Sequence, residues 1–165
     1  MEEKGLNLIE GLSNHYKEVA DLATELRGDK TNVPIIGMGH LFATGGRSVD
    51  GDGVRELYVG TLAHIGAEAF PKEFDYTALG HLHISQRVGK LDNIRYSGSP
   101  IPMGFGEAGQ DKIVIVTNFN GSKLGVIDEV KVPVFQALEL IKGDFESIRS
   151  DISRLVKDDY SVWKN

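Results

Sequence analysis

The chain has 165 residues, 41% of them hydrophobic and none of them cysteine, so it can bury a core but can form neither a disulfide framework nor a thiolate zinc site. Its 18 basic and 24 acidic residues argue against the basic face that usually marks a nucleic-acid-binding protein. The sequence contains no apolar segment of signal-peptide or transmembrane character, and we therefore expect a soluble, cytoplasmic protein that does not contact a membrane.

The first part of the chain predicts one helix and one strand, followed by a loop. Apolar residues recur at helical spacing over residues 9–26, which predicts an amphipathic helix of roughly three to five turns, and Gly28 follows as its C-terminal cap. The short apolar run at 33–38 is typical of a buried strand. The glycine-rich and charged segment 43–56 predicts a loop, with a strand at 57–63 and a helical turn at 67–70 expected after it.

The middle of the chain predicts short strands joined by turns. The apolar run at 76–79 is typical of a second buried strand. Two hairpins follow, the first from strands at 86–88 and 94–97 and the second from strands at 113–119 and 124–132 across Asn120-Gly121. A loop rich in glycine and proline, at 98–109, separates the two hairpins.

The character of the chain changes after Pro133, where we place a domain boundary. Residues 135–141 predict a strand, and Asp144 is a suitable N-terminal cap for a helix. The apolar positions of that helix lie at helical spacing, at Phe145, Ile148, Ile152, Leu155 and Val156.

Three histidines lie in glycine-marked segments at the ends of predicted strands, in Gly39-His40 and in Gly80-His81-Leu82-His83. His40 comes after the run 33–38, and His81 and His83 come after the run 76–79. Residues i and i+2 of an extended chain point to the same side, so His81 and His83 can reach one metal cluster. Imidazole is a common metal ligand at neutral pH, and the three side chains predict a metal site more strongly than three unrelated histidines satisfied by backbone or water.

The other polar signals are weaker. The turn Ser97-Gly98-Ser99-Pro100 lacks the pattern of a nucleophile elbow, and two interpretations stay open: it shapes the backbone, or it also borders a substrate. His15 and His64 do not follow the strand-end pattern and are interpreted as structural residues.

Taken together, these motifs resemble the calcineurin-like metallophosphoesterases, and among them the SbcD-type subunits of DNA double-strand-break nucleases. The resemblance rests on Gly39-His40, on the segment 76–83 that ends in Gly-His-Leu-His, and on the segment 94–100 with Glu107. It extends from about the first helix to the end of the chain. The order and spacing of the motifs are specific, whereas Gly-His-x-His alone would be a modest signal.

Three earlier motifs of that family, Asp-x-His, Gly-Asp with a bridging aspartate, and Gly-Asn-His-Asp, do not occur in this sequence. Gly28-Asp29 matches two letters of the second motif, but it lies at the end of the predicted helix rather than after a buried strand. The resemblance therefore implies an α/β (α+β) chain: the C-terminal half of a metallophosphoesterase β-sandwich flanked by helices, plus a partial α/β cap domain. Residues 1–133 would be the C-terminal portion of the nuclease domain and residues 134–165 the truncated start of the DNA-capping domain. Such a half-fold is expected to expose apolar surface and to be marginally stable.

The resemblance also implies a site and its partners. Two divalent ions would be bound, Mn²⁺ foremost and Mg²⁺ as the alternative, with His40 and His81 on one ion, His83 on the other, and Ser97, Gly98 and Ser99 beside the substrate. Ions about 3.5–4 Å apart can meet phosphates directly, so an acidic chain is compatible with hydrolysis of DNA phosphodiesters. The implied partners are DNA, an SbcC-type ATPase and, in the full-length protein, a second copy.

We assign no catalytic residue, because the family's bridging aspartate, asparagine and leaving-group histidine are absent from this sequence. The isolated chain is accordingly expected to be inactive. Two other functions stay open: a non-catalytic scaffold that binds an SbcC-type ATPase, and a metallophosphoesterase for small phosphodiesters. The acidic charge mildly favours the second, whereas the Ser97-to-Pro100 turn and the start of a cap favour the nuclease.

Overall fold

The computed structural model describes residues 2–43, 46–48, 65–135 and 137–157. Most of the predicted loop at 43–56, and all of the predicted strand at 57–63 and His64, lie outside the described residues. In chain order the elements are α1 (Glu2–Arg27), β1 (Ile36–His40), a 3₁₀ turn (Ala67–Ala69), β2 (Tyr76–Gly80), β3 (Gln86–Arg87), β4 (Ile94–Tyr96), a second 3₁₀ turn (Phe105–Glu107), β5 (Ile113–Asn120), β6 (Lys123–Lys131) and α2 (Phe145–Lys157).

The described strands form two separate sheets. The first has the order β1-β2-β4-β3, in which β1, β2 and β4 run parallel and β3 pairs antiparallel with β4. The second is the antiparallel pair β5-β6. This mixture of helices and open sheets is the α/β class that the sequence predicts, and both predicted hairpins are confirmed. No helix in the described part of the chain combines the length and the apolarity needed to cross a bilayer.

Helix α1 is confirmed but is longer than predicted, because it already begins at Glu2, where the sequence has no apolar periodicity to reveal it. It ends as expected at Gly28, whose φ of +53° suits glycine and whose N–H donates to the Thr24 carbonyl oxygen at 3.2 Å. Tyr16 and Ala20, one helical turn apart, are buried in the core. Only part of the predicted apolar stripe is covered, since Leu26 is 79% exposed.

Strand β1 corrects the prediction of a fully buried strand at 33–38. The strand starts at Ile36, and the side chains of Ile36 and Met38 are exposed. Gly37 and Gly39 alternate with them on the other face, where a Cβ on Gly39 would lie 2.1 Å from the Tyr16 hydroxyl oxygen. Because glycine leaves this space, α1 packs directly on the strand, while Ile36 and Met38 on the opposite face stay 48% and 77% exposed.

Tyr96 on β4 connects the centre of the sheet to the segment that follows β1. Its side chain is fully buried, and its hydroxyl accepts a hydrogen bond from the Ala43 N–H and donates one to the Leu41 carbonyl, each at 2.8 Å. Burial raises the pKa of Tyr96 to about 12, so the hydroxyl keeps the proton that it donates. The surrounding core is aromatic and aliphatic, with the Tyr16 ring 5.2 Å from that of Phe70.

The C-terminal part contains one wrong prediction and one confirmed one. No strand forms at 135 or 137–141, because these residues have no partner strand in the described part of the chain and an unpaired segment cannot complete a ladder. Helix α2 forms where predicted, and the Asp144 carboxylate accepts a hydrogen bond from the Ser147 N–H at 2.8 Å. The domain boundary near Pro133 stays a prediction.

Replacement of Tyr96 by phenylalanine tests the bridge from β4. The Tyr96→Phe variant should lose about 1–3 kcal/mol in its free energy of unfolding, because the Ala43 N–H and the Leu41 carbonyl lose a buried partner. Urea denaturation followed by circular dichroism measures the loss. Tyr76→Phe is the matched control, since Tyr76 is similarly buried but makes no hydroxyl hydrogen bond within the described residues. Equal losses in the two variants would contradict the role of the bridge.

Candidate metal centre

His40 and His81 meet because β1 and β2 run parallel in a fixed register. His40 is the last residue of β1 and pairs with Gly80, the last residue of β2, so His81 follows at the same edge of the sheet. The two imidazole centroids are 5.3 Å apart at an interplanar angle of 73°. A Cβ on Gly80 would lie 2.9 Å from His40 Nδ1, so glycine at this position leaves room for the imidazole. The sequence-predicted pair is therefore brought together.

The backbone of His81 lies in an unusual conformation. Its φ is +105°, a value that residues other than glycine rarely adopt and that costs conformational energy. Burial, followed by the nearby His40 and His83, lowers the pKa of His81 below its usual value. A lowered pKa keeps the imidazole neutral at physiological pH, which is the form that binds a metal ion.

His83 is held by a buried carboxylate. Its Nδ1 lies 2.8 Å from Oε1 of Glu107, whose side chain is fully buried, whereas the His83 side chain is 19% exposed. The Ser99 N–H also donates to the His83 carbonyl oxygen, at 3.2 Å. Both contacts come from the segment after β4, so the position of His83 depends on how that segment folds.

Glu107 is the centre of a buried polar cluster that we call the Glu107 cluster: His83, Ser99, Glu107 and Lys112. Its second oxygen, Oε2, accepts hydrogen bonds from the Ser99 hydroxyl at 3.1 Å and from the Lys112 ammonium. Burial alone would raise the pKa of Glu107, but the pKa lies below its usual value because Lys112, His83 and the Met103 N–H donate hydrogen bonds to the carboxylate. The Glu107–Lys112 pair is therefore an ion pair removed from water.

The predicted substrate turn lies against this cluster. Ser99 is buried and its hydroxyl is directed to Glu107, while Gly98 has a φ of +83°. A Cβ on Gly98 would lie 2.7 Å from the His83 carbonyl oxygen, so only glycine allows this approach. Ser97 and Ser99 line a cavity of about 230 Å³ together with His83 and Lys112. The backbone-shaping interpretation is thus supported, and substrate contact by Ser97, Gly98 and Ser99 stays a prediction.

The three predicted metal ligands provide part of a donor set. Within the described residues, no three histidine, aspartate or glutamate side chains converge closely enough to hold a metal ion. His40 and His81 are adjacent, whereas His83 is directed toward Glu107. Neutral imidazoles also leave the charge of a divalent ion uncompensated, and Mn²⁺ and Mg²⁺ prefer carboxylate oxygens. These residues fit such an ion only if further ligands join them, and the metal assignment stays a prediction.

No sequence pattern predicts a role for Lys112, and Glu107 is indicated only by the family resemblance. Neither residue belongs to a local pattern. Lys112 directly precedes β5, and Glu107 lies in a glycine-rich loop. The lysine at the start of an apolar strand was a weak indication of a buried ion pair, because a lysine is rarely buried without a partner of opposite charge.

Replacement of Lys112 by methionine tests the buried ion pair. The Lys112→Met variant should lose about 3–5 kcal/mol in its free energy of unfolding, because the Glu107 carboxylate would stay buried without its counter-charge. Lys131→Met is the matched control: Lys131 and its partner Asp111 are 74% and 71% exposed, and the loss there should be under about 1 kcal/mol. Urea denaturation of both variants measures the difference, and a Lys112→Met variant no less stable than Lys131→Met would contradict it.

Comparison with known proteins finds curated relatives with similar sequences. No family model matches the chain. The chain is 39% identical over 163 residues to the SbcD subunit of the SbcCD nuclease from Escherichia coli (strain K12) and, to the same extent, to that from Escherichia coli O157:H7. Each match includes 98% of this chain and spans 40% of the relative's length. An SbcD relationship also fits a metallophosphoesterase fold. Over nearly all of its residues, the chain is thus similar in sequence to a part of this nuclease subunit.

Proposed function

We propose that this chain contributes the histidine side of a two-metal centre that hydrolyses DNA phosphodiesters. The observation that carries the proposal is the approach of His40 and His81, with ring centroids 5.3 Å apart, at one edge of the sheet of an SbcD-type sequence. His83 follows two residues after His81 and is oriented by Glu107. The relatives are subunits of a nuclease, which supports a nucleic-acid phosphodiester as the substrate. The choice of DNA comes from the family resemblance.

The roles of the residues follow from their positions. His40 and His81 would share one ion and His83 would bind the other, with Mn²⁺ foremost and Mg²⁺ as the alternative. When bound, such ions activate water and stabilise the departing oxygen of a phosphodiester. The chain's own contribution is to hold three imidazoles at one edge, and the lowered pKa of His81 favours the neutral form of that ring. Ser97, Gly98 and Ser99 would position the phosphate-bearing strand beside them.

The chain by itself is proposed to be inactive. Within the described residues, no carboxylate joins the imidazoles as a metal-binding group, since Glu107 contacts His83 Nδ1 and Lys112 instead. A polypeptide that carries the family's Asp-x-His, Gly-Asp and Gly-Asn-His-Asp motifs would complete the centre. The partners we propose for the complete assembly are DNA, an SbcC-type ATPase, which the SbcCD name supports, and a second copy of the nuclease subunit. Residues 134–165 would belong to the cap.

A non-catalytic scaffold is the second candidate, and one observation favours it. Helix α2 exposes Phe145, Ile152 and Val156, at 75%, 49% and 76% of their surface. These positions repeat at intervals of seven and four residues, so they lie on one helical face that suits an apolar partner surface. A scaffold would bind an ATPase subunit through this face and would show no cleavage under any complementation.

Metal binding tests the proposed ligands. Isothermal titration of the metal-free chain with Mn²⁺ should give weak binding of at most one ion, because the donor set is incomplete. The double variant His81→Ala with His83→Ala should weaken this binding at least as much as the about 10–100-fold that loss of a supporting residue costs. His15→Ala is the matched control, because His15 is an exposed histidine on α1, and it should bind like the wild type. Equal binding by the double variant would remove these residues from the site.

Cleavage of a labelled DNA duplex in Mn²⁺ tests the activity. The chain alone should give no product, whereas addition of a polypeptide that carries the three absent motifs should produce cleavage that the double histidine variant lacks. Cleavage by the chain alone would show that it completes its own centre. Absence of cleavage after complementation, with a stable complex formed, would favour the scaffold.

A further inference from the structure

Glu107 belongs to none of the proposed ligand sets, yet it has hydrogen-bond partners on both carboxylate oxygens. Its carboxylate is fully buried, and its two oxygens have different partners. Oε1 faces Nδ1 of His83 at 2.8 Å, and Oε2 faces the Ser99 hydroxyl and the Lys112 ammonium. A buried carboxylate held in this way can transmit a fixed orientation to the imidazole.

The donors and acceptors of the cluster determine where the proton of His83 resides. The Lys112 ammonium can only donate, and it lies against Oε2. An ionised carboxylate can only accept, so the contact at Oε1 requires His83 to donate from Nδ1. The neutral imidazole then carries its proton on Nδ1 and its lone pair on Nε2. The arrangement of charges thus selects one tautomer.

The same groups also hold the backbone of His83. The Ser99 N–H donates to the His83 carbonyl oxygen at 3.2 Å, and the Lys112 ammonium donates to that oxygen at 3.4 Å. Gly98 permits this approach, since any Cβ there would meet the carbonyl oxygen. Ring and backbone of His83 are therefore fixed by one set of residues.

We propose that Glu107 is a positioning residue, which fixes the Nδ1–H tautomer and the ring orientation of His83, and that Lys112 and Ser99 in turn orient Glu107. The inference rests on the proposed function only for what Nε2 would bind, namely a divalent ion. A carboxylate behind a ligating imidazole is a common way to make Nε2 the stronger donor. The tautomer itself is a property of the metal-free chain.

Replacement of Glu107 by glutamine gives a specific expectation. The amide keeps the size of the carboxylate but has one oxygen and one NH₂ group. Because Lys112 and Ser99 both donate, the amide oxygen should take the place of Oε2, and the NH₂ group should face His83. Nδ1 must then accept, and the proton moves to Nε2. The Glu107→Gln variant should therefore invert the tautomer of His83.

The test is the imidazole ¹⁵N and ¹³Cδ2 spectrum of the labelled, metal-free chain at pH about 8, where free imidazole is neutral. The His83 signals are assigned by their loss in His83→Ala. The wild type should show the Nδ1–H form and Glu107→Gln the Nε2–H form. An Nε2–H or doubly protonated ring in the wild type, or an unchanged tautomer in a folded Glu107→Gln variant, would overturn the proposal.

Two further variants distinguish positioning of His83 by Glu107 from a general effect of removing a negative charge. Asp111→Asn is the matched control, because it removes the same charge next to Lys112 from an exposed ion pair with Lys131, and it should keep the Nδ1–H form. Glu107→Asp keeps the charge and should also keep the Nδ1–H form. If Glu107→Gln does not fold, the wild-type and Glu107→Asp spectra decide, and an Nε2–H ring in either one overturns the proposal.

Titration with Mn²⁺ links the inference to the metal. Glu107→Gln should weaken Mn²⁺ binding by about 10–100-fold relative to Asp111→Asn, as expected when an orienting carboxylate is lost. An Nδ1–H tautomer in a chain that binds no Mn²⁺ would support positioning by Glu107 and count against the proposed metal centre. Mn²⁺ binding to a chain whose His83 ring is in the Nε2–H form would support the proposed metal centre and count against positioning by Glu107.

Discussion

Burial of the Glu107 carboxylate is the constraint on which the predicted site depends. An ionised carboxylate removed from water loses several kcal/mol of solvation, and only close, well-directed partners restore it. Here these partners come from separate segments: His83 after β2, Ser99 after β4, and Lys112 directly before β5. The loops therefore cannot move independently, because displacement of any one of them leaves a charge or a donor unsatisfied. The position of His83 is therefore fixed for an electrostatic reason, whereas His40 and His81 are placed by the register of β1 and β2.

Local patterns in the sequence predicted much of the fold and the ligand candidates. Asn120-Gly121 gave the β5-β6 turn, where Gly121 has a φ of +63°, and Asp144 gave the start of α2. Glycine before histidine at strand ends identified His40 and His81, which do meet. In each case the information lies in a few neighbouring residues, since a turn conformation or a strand end imposes its own residue preference.

What the sequence did not predict depends on distant partners. The apolar run at 33–38 indicates burial, but only the assembled sheet determines that Ile36 and Met38 lie on the uncovered face. The run at 135–141 has strand-like composition and no partner among the described residues. The Glu107–Lys112 pair is close in sequence, yet the two side chains meet only after the intervening loop closes around Ser99. Composition indicates which residues are suited to burial, not what they will contact.

The backbone of His81 has a consequence for the evolution of this chain. Its φ of +105° favours glycine, so a glycine there would relieve strain while it removes the imidazole. At this position, stability favours glycine, whereas the proposed metal binding requires histidine. A lineage released from the need for this imidazole would drift toward glycine at the position, and thermal selection without an activity screen would do the same. In a given homologue, histidine at position 81 would therefore indicate selection for the imidazole, and glycine would indicate selection for stability.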